Sequence, residues 1–120
     1  MTVFDNDTAY RLAGELLKAI QSGDAAALAH FGINRAIAEE ISEELVSSGD
    51  NLEQLTLPPY ALAFQADRTG RMPFDSEEMQ EEPQSRRVWC QLWSAGAATD
   101  LTLVADYAQN SLAFRLLETD

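Results

Sequence analysis

Residues 87–116 read RVWCQLWSAGAATDLTLVADYAQNSLAFRL, and this stretch decides the fold. It contains three runs in which apolar side chains alternate with polar or small ones, and this spacing is typical of β-strands that bury one face. The two interruptions, residues 95–98 and 109–111, contain glycine, asparagine and serine, which favour turns. The stretch therefore predicts a three-stranded antiparallel meander.

The alternation also predicts which side chains share a face of each strand. The apolar face of the first strand consists of Val88, Cys90 and Leu92. Its other face consists of Arg87, Trp89, Gln91 and Trp93. The second strand alternates through Leu101, Leu103, Ala105 and Tyr107. The third places Leu112, Phe114 and Leu116 on one face.

The first half of the chain has helical rather than strand periodicity. Helices are predicted over residues 7–22, 24–31 and 34–48. Each is preceded by a side chain that caps helix N-termini, namely Asp5 or Asp7, Asp24 and Asn34. The longest helix has an apolar stripe at helical spacing, formed by Ala9, Leu12, Ala13, Leu16, Leu17 and Ile20.

Two segments separate the helices from the meander. Tyr60, Leu62, Phe64 and Ala66 alternate with other residues after two prolines, and this pattern predicts a further strand. Residues 72–85 are acidic, contain two prolines and show no period, so they are predicted to form a long loop. Helices followed by an antiparallel sheet make the chain an α+β protein, and 120 residues are typical of a single domain.

The stretch LLKAIQSGDAAALAHF, residues 16–31, resembles the opening of nuclear transport factor 2-like domains. The resemblance implies a curved, cone-like sheet that wraps around the long helix. Isomerases with that fold use a pocket carboxylate as a base and a tyrosine or an acid as the donor to an oxyanion. The residues that correspond in type are Asp67, Asp106, Tyr60 and Tyr107. Alternation places Asp106 and Tyr107 on opposite faces, which argues against that pair.

A second resemblance involves LWS at residues 92–94 and TDLTL at residues 99–103. This pattern is similar to a family of small bacterial proteins without an assigned activity, and it implies a hairpin. Small acidic proteins of this general kind include immunity proteins of bacterial toxin systems, an analogy of class rather than of site.

The chain carries 20 acidic and 8 basic residues, for a formal net charge of −12. Such a surface repels nucleic acid and anionic membranes and attracts basic proteins. We therefore predict a non-catalytic binding protein, an immunity protein that occludes the basic active-site surface of a cognate toxin. The predicted contact residues are Glu39, Glu40, Glu43, Glu44, Asp75, Glu77, Glu78, Glu81 and Glu82. The other interpretation of the acidity is solubility alone.

Two alternatives to an immunity protein remain open. The first is a cone-fold ligand-binding protein or isomerase-like enzyme, with a pocket formed by Tyr60, Trp89, Trp93 and Tyr107. The second is an adaptor that forms a homodimer through its sheet. The two tryptophans are either part of a pocket or interface, or core residues that pack on the long helix.

Neither catalysis nor a metal site is indicated by the residue types present. The single histidine, His30, fits a partly buried packing residue, and the single cysteine, Cys90, fits a small core residue. Asp75, Glu77 and Glu78 lack the spacing of an EF-hand calcium loop. We expect no cofactor. Without a signal-like N-terminus or an apolar run of about 20 residues, a cytoplasmic location is expected.

Overall fold

The computed structural model describes residues 4–80, 82 and 84–119. Four helices and five strands occur in these residues. Their order is α1 (Asn6–Ser22), α2 (Ala25–His30), α3 (Arg35–Ser48), β1 (Leu55–Thr56), α4 (Tyr60–Ala63), β2 (Phe74–Glu78), β3 (Arg86–Ser94), β4 (Ala97–Ala108) and β5 (Ser111–Thr119).

The positions predicted for the three N-terminal helices are confirmed to within one residue at each end. Asp5 caps α1, because its carboxylate accepts hydrogen bonds from the backbone N–H and the hydroxyl of Thr8. Asn34 caps α3 by accepting from the N–H of Ile37. Gly49 ends α3 in the left-handed conformation at φ 79°, which a residue without Cβ adopts at little cost.

The strands form one open antiparallel sheet, so the α+β class is confirmed. The predicted meander is present as β3–β4–β5. Two further strands share the other side of β3. β1 pairs with residues 93–94, and β2 pairs with residues 86–90.

The helices cover one face of the sheet, called here the inner face. The predicted stripe of α1 is buried against alternate residues of the strands. The inner face comprises Phe74, Val88, Cys90, Leu92, Leu101, Leu103, Ala105, Tyr107, Leu112 and Phe114, all buried. This packing explains why the meander alternates with period two, since only every second side chain reaches the helices.

The strand predicted from Tyr60 onward is wrong, because this segment forms the short helix α4. Tyr60, Ala63 and Phe64 are also spaced i, i+3, i+4, which is the spacing of a helical stripe. The rings of Tyr60 and Phe64 pack on Tyr10 of α1, and Ala63 is fully buried. Packing against α1 thus favours the helical pattern over the alternating one.

The long loop predicted over residues 72–85 is also wrong in part, because it contains β2. Only Phe74 of β2 is a buried hydrophobic residue, and four polar residues follow it. The strand exists because its backbone pairs with β3, an interaction that the local sequence does not show.

The prediction that Leu116 shares a face with Leu112 and Phe114 is wrong. The register shifts by one residue between the pairs Ala105–Phe114 and Val104–Leu116, which is a β-bulge at Arg115. A shift of one residue moves each following side chain to the other face of the sheet. Leu116 therefore leaves the inner face and is 43% exposed, whereas Leu112 and Phe114 are buried.

Candidate interaction surface

The face of the sheet opposite the helices, called here the outer face, collects the polar and aromatic residues of the strands. Cross-strand pairing sets two rows on it. One row is Asp75, Trp89 and Val104, and the other is Glu77, Arg87 and Asp106. Residues directly opposite in neighbouring strands lie about 5 Å apart, so each row is a line of neighbouring side chains.

Asp106 lies between two arginines in the second row. Arg87 donates to both carboxylate oxygens of Asp106, over 2.9 Å from Nε and 3.3 Å from Nη2. Nε of Arg115 lies 3.3 Å from Oδ2 of Asp106. The hydrogen bonds to Asp106 raise the pKa of the Arg87 guanidinium further above its already high value. Arg87 is therefore held in place and its charge is largely offset.

Part of the outer face is covered by the segment that connects α4 with β2. Thr102 and Val104 point away from the helices, yet they are only 1% and 2% exposed. Nη2 of Arg71 donates to Oγ1 of Thr102 over 2.9 Å, so this arginine extends from the connecting segment onto the sheet. The outer face is consequently an ordered surface, and Trp89 and Trp93 are half-buried within it.

A groove of about 430 Å³ lies on this face beside the β2–β3 hairpin. Its walls are formed by Glu77, Glu78, Met79, Gln80, Arg87 and Trp89. Glu77 and Glu78 are exposed, and neither forms an ion pair with any described residue. The groove thus combines the aromatic side chain of Trp89 with the unneutralised carboxylate of Glu77, and Glu78 lies at its edge.

The two acidic stretches predicted as contact residues lie at opposite edges of the sheet. β2, with Asp75, Glu77 and Glu78, forms one edge beside β3, whereas α3 packs beside β5 at the other. On α3, Glu39, Glu40 and Glu43 are exposed. Glu44 is half-buried and accepts a hydrogen bond from the hydroxyl of Thr119.

The remaining acidic residues lie in the β2–β3 connection. Glu82 is exposed and accepts a hydrogen bond from the hydroxyl of Ser85 over 3.2 Å. Glu81 lies outside the described residues.

A second, smaller groove of about 190 Å³ connects the acidic helix with β5. It is lined by Glu40, Ile41, Glu44, Phe114, Arg115, Leu116 and Leu117. Arg115 contacts Asp106 on the outer face, so this groove borders that face. Carboxylates therefore border both sides of a centre that contains tryptophan, arginine and exposed leucine.

The four residues predicted to form one pocket do not meet. Tyr107 is buried on the inner face, where its hydroxyl donates to Asn110 over 2.6 Å and its ring contacts Phe4. Burial raises the pKa of Tyr107. Tyr60 is 54% exposed on α4, and its hydroxyl donates to Asp7. Trp89 and Trp93 occupy the outer face, so the alternative of core packing against α1 is wrong for both.

The carboxylates considered as bases are engaged elsewhere. Asp67 organises its own turn by accepting from the hydroxyl of Thr69, and from the backbone N–H groups of Thr69 and Arg71. The hydrogen bond from the Thr69 hydroxyl is the main cause that lowers the pKa of Asp67. Asp106 is ion-paired, and it lies on the face opposite Tyr107, as alternation predicted. The arrangement of base and oxyanion donor is not assembled by these residues.

The single histidine and cysteine have different environments. His30 is exposed rather than partly buried, and its ring meets Phe31 edge to face at 5.1 Å. Cys90 is buried in the core, as predicted, and burial raises the pKa of its thiol. Within residues 4–80, 82 and 84–119, no group of three or more histidine, cysteine or acidic side chains is placed to hold a metal ion. No helix in the same residues is long and apolar enough to cross a membrane.

Sequence reasoning identified Trp89 and the β2 carboxylates but missed Arg71, Arg115 and Leu116 as members of the outer face. Arg115 and Leu116 are there because of the bulge in β5, which simple alternation does not reveal. Arg71 is there because of a connection whose course depends on tertiary contacts. Comparison of the chain with models of protein families, with curated proteins and with solved structures finds no match.

Proposed function

We propose that this protein is a non-catalytic binding protein that covers a basic surface of a protein partner, as an immunity protein covers the active site of its cognate toxin. The observation that carries the proposal is the outer face. There, half-buried Trp89 and the Arg87–Asp106–Arg115 cluster lie between two borders of exposed carboxylates, and half-buried Trp93 lies further along β3 beside β1.

The centre of this surface has the composition of an interface hot spot. Tryptophan and arginine are the residues whose truncation most often costs more than about 2 kcal/mol in protein complexes. Arg87 is already held by its hydrogen bonds to Asp106 and Trp89 is half-buried, so little side-chain entropy is lost when a partner binds. The centre is therefore suited to control how slowly a complex dissociates.

The borders have a different role. Exposed carboxylates on β2 and α3 attract a basic surface over a distance of about 8 Å at physiological ionic strength. Charges at the rim of an interface mainly raise the association rate. A toxin that acts on nucleic acid has a basic cleft, and this arrangement fits such a partner. We regard the partner as a protein because the acidity of the surface opposes binding to nucleic acid and to anionic membranes.

The cone-like curvature and the cytoplasmic location belong to the same proposal. A long helix followed by a short helix and then an antiparallel sheet supports the first, since the resemblance to nuclear transport factor 2-like domains implies this order. The lone, buried Cys90 is compatible with a reducing compartment.

The test begins with capture of the partner by the tagged protein in its native host. Association and dissociation rates are then measured at low and high salt for the wild type and two double variants. These are Glu77→Lys with Glu78→Lys, and Glu40→Lys with Glu43→Lys. Each is expected to slow association about tenfold or more at low salt and less at high salt.

The matched control is Glu15→Lys with Glu53→Lys, which changes the net charge equally. Glu15 lies on α1 and Glu53 in the 3₁₀ turn Leu52–Gln54, both away from the outer face. Sedimentation of the protein alone separates partner binding from dimer formation through the sheet. If both double variants associate like the control, the acidity serves solubility and the proposal fails.

A further inference from the structure

We propose that the groove beside the β2–β3 hairpin is a socket for one cationic side chain of the partner, and specifically for an arginine. This inference rests on the proposed function, and it names the chemistry that the outer face binds. The socket consists of the indole of Trp89 and the carboxylate of Glu77, with Glu78, Met79 and Gln80 at its end.

The groove fits an arginine side chain in both shape and chemistry. At about 430 Å³ the groove lies within the size range of specific ligand sites. A planar guanidinium stacks on the face of an indole and at the same time donates two parallel hydrogen bonds to a carboxylate. Trp89 and Glu77 lie on the same face of neighbouring strands, at diagonal register positions. Arginine fits this pair better than lysine does, because the ammonium of lysine is a compact point charge.

Glu77 and Arg87 do not form the ion pair that their positions in the register would allow. Glu77 lies directly opposite Arg87 in the register of β2 and β3, a position in which opposite charges normally pair. The guanidinium of Arg87 instead makes both of its side-chain hydrogen bonds to Asp106 on the other neighbouring strand. The cation that would neutralise Glu77 within the protein is thus engaged elsewhere. Glu77 keeps its charge for an incoming guanidinium.

The charged residues around the groove have a negative sum. Asp75, Glu77 and Glu78 contribute three negative charges beside the groove. Arg87, Arg115 and Asp106 together contribute one positive charge, and Arg86, opposite Glu78 in the register, contributes another. The site is therefore negative, and it attracts a cation even with Arg87 in its wall. The smaller groove at α3 has less than half the volume and no tryptophan in its wall, so it is the poorer candidate.

The probe is the peptide acetyl-Gly-Arg-Gly-Arg-Gly-amide. It is titrated into the whole protein, and binding is measured from the shifts of signals in ¹H–¹⁵N correlation spectra. A second peptide replaces each arginine with citrulline, which has nearly the same shape without the charge. We expect the arginine peptide to shift the indole N–H signal of Trp89 in a saturable manner. The citrulline peptide should bind at least about tenfold more weakly. A third peptide, with lysine in place of each arginine, should have an affinity between the two.

Variants locate the site. Trp89→Leu keeps an apolar side chain on the sheet but removes the aromatic face, and it should weaken the arginine peptide about five- to thirtyfold. Glu77→Gln should weaken it severalfold. The matched control is Glu53→Gln, which also removes one exposed carboxylate that has no ion pair with any described residue but lies in the turn Leu52–Gln54 away from the groove, and it should change affinity less than twofold. Dispersed spectra and unchanged melting temperatures establish that each variant is folded.

Three outcomes would overturn the socket: arginine and citrulline peptides that bind equally, Trp89→Leu affinity within twofold of wild type, or a control variant that weakens binding as much as Glu77→Gln. The last result would mean that the peptide senses only overall acidity. The socket and the proposed function fail separately. A captured partner whose affinity is insensitive to Trp89→Leu and Glu77→Gln removes the socket alone. Specific arginine binding without any captured partner removes the proposed function alone.

Discussion

The inner and outer faces of the sheet are built from alternate residues of the same strands, yet they differ in almost every physical property. In β3, Val88, Cys90 and Leu92 are buried against the helices, whereas Arg87 and Trp89 on the other face are half-buried among charged neighbours. The inner face obtains its stability from apolar burial, which is non-directional. The outer face consists of ion pairs and aromatic surface, which give specificity more than stability. Alternate residues of the same strands therefore have different roles: one set forms the core, and the other set forms the surface that we propose binds the partner.

The largest expected change in the free energy of unfolding comes from a cavity on the inner face. Leu103 is buried in the core, so Leu103→Ala removes apolar contacts and leaves a void. The expected loss is about 2 to 5 kcal/mol in the free energy of unfolding, measured by urea denaturation. Binding of the arginine peptide by the folded fraction should stay within about twofold of wild type, because Leu103 does not reach the outer face. Weakened binding at full folding would show that the two faces are coupled.

The N-terminal helices could be predicted from sequence because their determinants are local. Asp5, Asn34 and Gly49 each act within four residues of the helix end that they define. The meander was predictable for a similar reason, since its alternation repeats over long strands with short turns. The same alternation places Trp89 on the face opposite Val88, Cys90 and Leu92, but it leaves open whether Trp89 is a core residue.

The failures lie where distant residues decide the structure. β2 has a single buried hydrophobic residue and is a strand only because β3 lies beside it. Its prediction as a loop separated Asp75 and Glu77 from Trp89, so the socket could not be recognised. The pattern from Tyr60 to Phe64 fits both a strand and a helix, and contact with Tyr10 favours the helix. The bulge at Arg115, which moves Leu116 to the outer face, has no signal in simple alternation.

A second test uses pH to distinguish the faces. Burial raises the pKa of the Cys90 thiol, so the folded state retains this proton where the unfolded chain, with a thiol pKa near 8.5, loses it. The stabilising contribution is fully present below about pH 8.5 and is lost as the pH rises above that value. The expected slope is about 1.4 kcal/mol per pH unit between pH 9 and 10.

The control for this test is Cys90→Val, which keeps a buried apolar side chain of similar size. Urea denaturation at pH 7, 9 and 10 should show a marked loss of stability in the wild type and a smaller one in the variant. The burial that raises the pKa of Tyr10 and Tyr107 adds a loss near and above pH 10, and both proteins should share it. Equal slopes for wild type and variant between pH 9 and 10 would mean that the thiol is accessible to water.

The smallest effect on stability, and the most informative one about the outer face, is expected for Asp106→Ala. Arg87 and Arg115 are 35% and 54% exposed at their side chains, so water screens the ion pairs, and the cost should be about 1 kcal/mol or less. The guanidinium of Arg87, released from Asp106, then lies opposite the free carboxylate of Glu77 in the register. We expect it to pair with Glu77 and to compete with an incoming arginine, so that peptide affinity falls by about tenfold although Asp106 lies outside the groove. Arg115→Gln is the control, because it leaves the Arg87–Asp106 hydrogen bonds intact and should change peptide affinity less than threefold. Peptide affinity in Asp106→Ala equal to that of wild type would show that Asp106 does not keep Arg87 away from Glu77, and the division of roles on the outer face would have to be revised.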